Sequence, residues 1–216
     1  MRDLYPRYDV LAKRNTPSWN EQTRDVIDRR LAIARDEHRF FGDEDWSTVC
    51  AICDRIVPQP ADRTNPVPVA ALLDHKMHRD DQDGYRDASL PRMQDAWLCG
   101  LAALDAEAGE RHGARFSELA PAEQDALLRA AERGELRHAA WRGMPPEIFF
   151  HRRIISDVVS AYYAHPTAWN EIGWGGPASP RGYVRMDFNR RDPWEAAEAG
   201  QGHEQEAIRE NLHVGR

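Results

Sequence analysis

Cys50-Ala51-Ile52-Cys53 is a C-x-x-C pair. A redox dithiol of this spacing needs a thiol at a helix N-terminus, where the local field lowers its pKa. Here both cysteines fall inside a helical pattern, on its apolar face, so they read as small buried hydrophobes. With Cys99 the chain has 3 cysteines, too few to supply a cluster by itself. Two E-x-x-H pairs occur, Glu135 to His138 and Glu210 to His213. Di-iron bundles place such pairs on core helices beside further glutamates. Here the first follows Gly134 in a polar linker and the second lies in a terminal tail, so neither sits on an apolar helix. His75 and His78, followed by Asp80, Asp81 and Asp83, offer metal-ligand types. As a calcium loop the run fails at both ends, since Arg79 and Leu90 would take the first and last ligand positions. It reads as the solvated end of a helix, with a metal site at His75 and His78 as the alternative.

The sequence contains no G-x-S-x-G, H-E-x-x-H or P-loop. Gly173-Trp174-Gly175-Gly176 lacks the preceding strand and following helix of a dinucleotide fingerprint, so its glycines serve a tight turn. The segment around it is rich in the residue types that anchor protein interfaces. Tyr163, His165, Trp169, Asn170, Glu171, Ile172, Trp174, Gly175, Gly176, Pro177, Arg181 and Tyr183 are the expected partner-binding residues. The competing reading is a loop packed on its own bundle. No catalytic, cofactor-binding or metal-binding residue is assigned in this chain.

The elements that must carry this segment are helical. Ser18 stands three before Glu21, a capping-box spacing, and Val26, Ile27, Leu31 and Ala34 predict a first helix over 19–38. Trp46, Val49, Cys50, Cys53, Ile56 and Val57 form one apolar face, stopped by Pro58 and Pro60. Val69, Leu72, Leu73 and Met77 mark another helix. Pro91 opens a long one with Met93, Trp97, Leu101, Leu104 and Ala108 on its stripe. Leu127, Leu128 and Ala131 give a short helix closed by Gly134. Phe149, Phe150, Ile154, Ile155, Val158, Val159, Tyr162 and Tyr163 give the most apolar helix, placed at the centre of the bundle. No period-two pattern or internal repeat is evident. The expected fold is all-α: an N-terminal arm over 1–17, a single helical bundle over 18–163, and an irregular Gly/Pro/Trp-rich segment with a polar tail over 164–216, all in one domain.

The totals narrow the partners. The 216 residues carry 29 basic and 36 acidic side chains, a net charge of -7. Such a surface has no general attraction for phosphate backbones or anionic lipid, so nucleic acid is excluded as an expected partner. No apolar run approaches the ~20 residues that span a bilayer. The first residues, MRDLYPRYDV, lack the apolar stretch of a secretory signal, and Arg29-Arg30 lacks the apolar region of a twin-arginine signal. The expected location is cytoplasmic, or periplasmic if a signal-bearing partner exports the chain.

Ile52-Cys53-Asp54-Arg55-Ile56-Val57-Pro58, Leu101-Ala102-Ala103-Leu104-Asp105 and Phe116-Ser117-Glu118-Leu119 resemble motifs of the gluconate 2-dehydrogenase subunit 3 family. So do Phe149-Phe150, Tyr162-Tyr163, His165-Pro166, the run Trp169 to Pro177, and Arg181-Gly182-Tyr183. The likeness spans roughly 45–190, and its final block is the specific part. The resemblance implies a small, non-catalytic subunit without a cofactor of its own. Its implied partner is a large subunit that resembles the glucose-methanol-choline oxidoreductases and holds FAD, with a cytochrome c as an electron acceptor of the complex. It implies a role in the folding, flavin loading or export of that subunit, and its final block resembles small subunits of glucoside 3-dehydrogenases. Some members bear a twin-arginine leader, which this sequence lacks. A free-standing helical metal enzyme and a scaffold protein unrelated to redox chemistry are the alternatives.

Overall fold

A computed structural model describes residues 3–179, 182 and 194–214. The helices are α1 (Glu21–Leu31), α2 (Asp43–Ile56), α3 (Val69–His78), α4 (Met93–His112), α5 (Pro121–Glu132), α6 (Pro146–Phe149), α7 (Ser156–Tyr163), α8 (Pro166–Ile172) and α9 (Glu204–Asn211). A π-helical stretch, Phe150–Ile155, joins α6 to α7, and 3-10 turns occupy Val10–Lys13, Phe116–Glu118 and Ala139–Trp141. Among the described residues there is no strand, and one isolated bridge pairs Trp19 with Ser179. The fold is all-α. The chain divides into two compact units, 33–162 and 1–32 together with 163–216.

The unit 33–162 is built on α4. Three acids in the first turn of α2, Asp43, Glu44 and Asp45, complement its helix dipole. Val49 and Ile52 then face inward, fully buried, with Cys53 beside them. In α4, Trp97, Leu101, Leu104 and Ala108 have no exposed surface. Phe149 packs edge-on against Trp97 and Trp141, with ring centroids 5.6 and 5.8 Å away. Gly100 permits that approach, since a Cβ there would stand 2.1 Å from the Phe149 ring.

Acidic side chains fix the connections. Asp74 accepts the backbone N–H groups of Arg39, Phe40 and Phe41. Asp105 accepts from Phe116 N and from the Thr48 hydroxyl, and pairs with Arg115. Glu107, 2 % exposed, accepts from the backbone of Arg137 and His138 and from the Trp141 indole. Each pairs an ionised carboxylate with N–H or O–H donors, and charge-assisted bonds of this kind are stronger than neutral ones.

The expected central helix is present over 146–163, with a π-helical interruption. Phe149, Phe150, Ile154, Val158 and Tyr162 are buried, and Tyr163 is 43 % exposed. The same stretch turns Arg153 and Asp157 inward, where they meet Lys76, Asp83 and Trp97. The first helix ends at Leu31, short of the expected 38. Of its apolar residues only Ile27 is buried, and Val26 and Leu31 stay largely exposed, so no packing extends it.

Candidate partner-binding site

The residues expected to face a partner lie in the second unit. His165 caps α8, its Nδ1 accepting from Thr167 N at 3.3 Å, and Pro166 follows at the first helical position. Gly173 closes the helix in the left-handed region at φ 65°, where a Cβ would collide with the Tyr5 ring. The segment expected to be wholly irregular therefore contains a short helix. Its signal was present in His165-Pro166 and Gly173, a cap, a Pro at the helix start and a Gly at its end.

Trp169 is 2 % exposed, so as a surface anchor it is corrected. It packs with Tyr8, Val10, Trp19, Ile27, Ala196 and Val214, and its indole N–H donates to Tyr163 O at 2.6 Å. Burying its ring in the unit's own core outweighs presenting it to a partner. Asn170 also works inward, with Oδ1 accepting from Val10 N at 2.8 Å. His165, Gly175 and Gly176 are buried. Pro177 is half-buried, and its carbonyl accepts both Lys13 Nζ at 3.0 Å and the Trp19 indole at 2.7 Å. What remains outward is Tyr163 at 43 %, Glu171, Ile172 at 48 % and Trp174 at 42 % exposed. Arg181 and Tyr183 lie outside the described residues.

Trp174 is held without being covered. Its ring meets Trp169 edge-on at 4.9 Å and 83°, its N–H donates to Trp169 O, and its carbonyl accepts from the Tyr8 hydroxyl. Gly176, at φ 67°, lets the backbone pass close to the Trp169 ring and Val10. An exposed indole fixed from beneath loses little freedom on docking.

Sequence reading missed the N-terminal support. Residues 1–17 looked like a polar arm, yet Tyr8 and Val10 are buried, and Lys13 has no exposed surface. Lys13 places its ammonium 5.6 Å from the Trp19 ring centre as well as on Pro177 O. The apolar spacing of Tyr5, Tyr8, Val10 and Leu11 carried that signal.

Burial, helped by the nearby Arg30 charge, pushes the His165 imidazole down to about 4 from 6.5. Because the unfolded chain takes the proton first, this stability is complete above pH 6.5. It falls as pH drops toward 4. Between pH 7 and 5 the loss is about 2 kcal/mol. His165→Asn keeps a capping acceptor and removes the titration, so its urea midpoint should change less over that range than the wild type's. Parallel slopes for the two proteins contradict this.

The other candidate chemistry resolves into structure. Burial pushes the Cys50 thiol up to about 11 and Cys53 well above its usual value, the behaviour of structural thiols. The acids after His78 are taken by bases: Asp80 by Arg92, Asp81 by Arg79, and Asp83 by Lys76 and Arg153. Among the described residues no group of three or more His, Cys, Asp or Glu side chains is placed to hold a metal. No described helix is long and apolar enough to cross a membrane.

The profile of the family described as Gluconate 2-dehydrogenase subunit 3 matches residues 43–176, from the start of α2 to the glycines after Trp174. No curated protein and no solved structure matches the chain.

Proposed function

The chain belongs to the gluconate 2-dehydrogenase subunit 3 family, whose members are subunits of a dehydrogenase complex, and from that premise we propose that it is a non-catalytic small subunit. Its partner is a glucose-methanol-choline-type large subunit that carries FAD and oxidises sugar or glucoside CH–OH groups, with a cytochrome c accepting electrons from the complex. The small subunit supports the folding, flavin loading or stability of that partner. The observation that carries this reading is Trp174: a large ring, 42 % exposed, fixed from beneath by Trp169 and Tyr8, at the end of the family match. Desolvated aromatic anchors commonly dominate the binding energy of an interface. Tyr163 at the end of α7 and Ile172 at the end of α8, both exposed, add apolar area.

The test is to purify the chain alone, the large subunit alone, and the two together. The isolated chain should be colourless and oxidise no sugar, and co-expression should raise the FAD content of the large subunit. A yellow, flavin-containing preparation of this chain alone, or a large subunit that loads FAD equally without it, overturns the proposal.

A further inference from the structure

Tyr5-Pro6-Arg7-Tyr8 forms a tight turn, closed by Tyr8 N donating to Tyr5 O at 3.1 Å. Pro6 fixes its own φ, and Arg7 follows at φ 62°. A proline and then a left-handed residue is the type II shape, which prefers glycine at the second place. Arginine there is strained, and turning over the Pro6–Arg7 peptide gives the type I shape, in which Arg7 is relaxed. A contact must therefore hold that peptide. The Pro6 carbonyl accepts from Asn211 Nδ2 at 3.0 Å. Asn211 ends α9 and is 2 % exposed. Its Nδ2 also donates to Ala197 O at 3.1 Å, and its Oδ1 accepts from Ala197 N at 2.6 Å. Beside this, Ala199 N donates to Leu4 O at 2.8 Å.

The turn supports the exposed indole. The Tyr5 ring fills the space where a Cβ on Gly173 would stand, at the C-terminal end of α8. The Tyr8 hydroxyl lies 2.9 Å from Trp194 O and 3.4 Å from Trp174 O. Val10 N donates to Asn170 Oδ1 at 2.8 Å. The backbone that presents Ile172 and Trp174 therefore rests on this turn and the residues after it. The turn, Ala197, Ala199 and Asn211 all lie outside the family match, 43–176. We propose that Asn211 is a positioning residue for the docking surface: by holding the Pro6 carbonyl it keeps the strained turn, beneath Gly173 and Trp174, in the shape that presents the indole. This rests on the reading that Trp174 faces the large subunit.

Amide exchange of the free full chain and its affinity for the proposed large subunit, measured on the same variants, test this. In Asn211→Ala the Pro6 carbonyl loses its donor, so protection at Tyr8, Val10 and Trp174 should fall about tenfold while that of α4 is unchanged. The dissociation constant should rise by a similar factor. Arg7→Gly relaxes the turn, so by itself it should leave the affinity within about threefold of wild type. Combined with Asn211→Ala it should restore most of the lost affinity, because Pro-Gly prefers the type II shape without help. Loss of α9 alone would not be repaired in this way. Asn211→Asp sets a carboxylate against the Pro6 and Ala197 carbonyls. Burial and those oxygens raise the pKa of the introduced carboxyl, and Glu195, Glu198, Glu206 and Glu210 around the neighbouring cavity act in the same direction, against His203. Protonation returns one donor, so affinity relative to wild type should improve about threefold or more between about pH 8 and about pH 5.5. Asn211→Ala should show no such recovery. Unchanged protection at Tyr8 and Trp174 in Asn211→Ala, no recovery on adding Arg7→Gly, or a relative affinity of Asn211→Asp that ignores pH each overturns the proposal. Full affinity in Asn211→Ala overturns it as well, and Trp174→Ala then shows which step failed. If Trp174→Ala binds weakly, the docking reading stands and the role of Asn211 alone falls; if it too binds at full affinity, the docking reading falls with it.

Discussion

Trp169→Ala lowers the unfolding free energy by about 3–5 kcal/mol, and amide protection is lost at residues 5–31 and 164–176. The ring belongs to a small buried cluster that joins it to two distant stretches of chain: Tyr8, Val10, Trp19 and Ile27 from the first, Ala196 and Val214 from the second. Removing it leaves a cavity among these groups and withdraws the donor from Tyr163 O. It also takes away the surface against which Gly176 and the Trp174 ring are placed. A loss of that size is a large part of the ~5–15 kcal/mol typical of a folded domain. The readout is a urea titration joined to hydrogen exchange. Retention of wild-type stability would mean that the cluster holds together without one of its two buried tryptophans.

Asp157→Ala costs a similar amount, about 3–5 kcal/mol, by a different route. Asp157 is 2 % exposed and accepts from the Trp97 indole at 2.8 Å, Lys76 at 3.0 Å and Arg153 at 3.3 Å. Without it, Arg153 and Lys76 share the single carboxylate of Asp83, and a buried indole N–H has no acceptor. Asp157→Asn keeps an acceptor for the indole but not the charge, so it should recover only part of the loss. Because Asp157 and Arg153 are both buried, added salt should not screen the difference away. Thermal melts of the two variants at low and high salt provide the check, and equal stability of Asp157→Asn and wild type contradicts the charge argument.

The helices were legible where burial repeats at three and four residues. Val49, Ile52 and Cys53 in α2, and Trp97, Leu101 and Leu104 in α4, announce their faces in one dimension. The π-helical stretch did not, because an extra residue in a turn leaves an apolar run looking like a continuous stripe. That stripe predicted Tyr163 inside, and it is exposed, while Arg153 and Asp157 were passed over and are buried. Their burial depends on partners far along the chain: Lys76, Asp83 and Trp97.

The candidate site divides the same way. Composition located the aromatic segment but could not sort its tryptophans. Trp169 turns inward because Tyr8, Val10 and Trp19 meet it there, and those residues lie some 150 positions earlier. The buried Lys13 looked like any polar residue of an arm. It is held by the Pro177 carbonyl and the Trp19 ring, an environment that exists only once the two ends of the chain meet.

The most direct test of the proposed role is the affinity of Trp174→Ala for the proposed large subunit, measured beside its melting curve. Trp174 is exposed, and its edge-on contact with Trp169 is worth only about 1 kcal/mol to the fold, so the variant should melt close to wild type. If the indole is the anchor, the dissociation constant should rise by about thirtyfold, or ~2 kcal/mol. A variant that melts normally and binds the large subunit at full affinity contradicts the assignment of this surface to the partner.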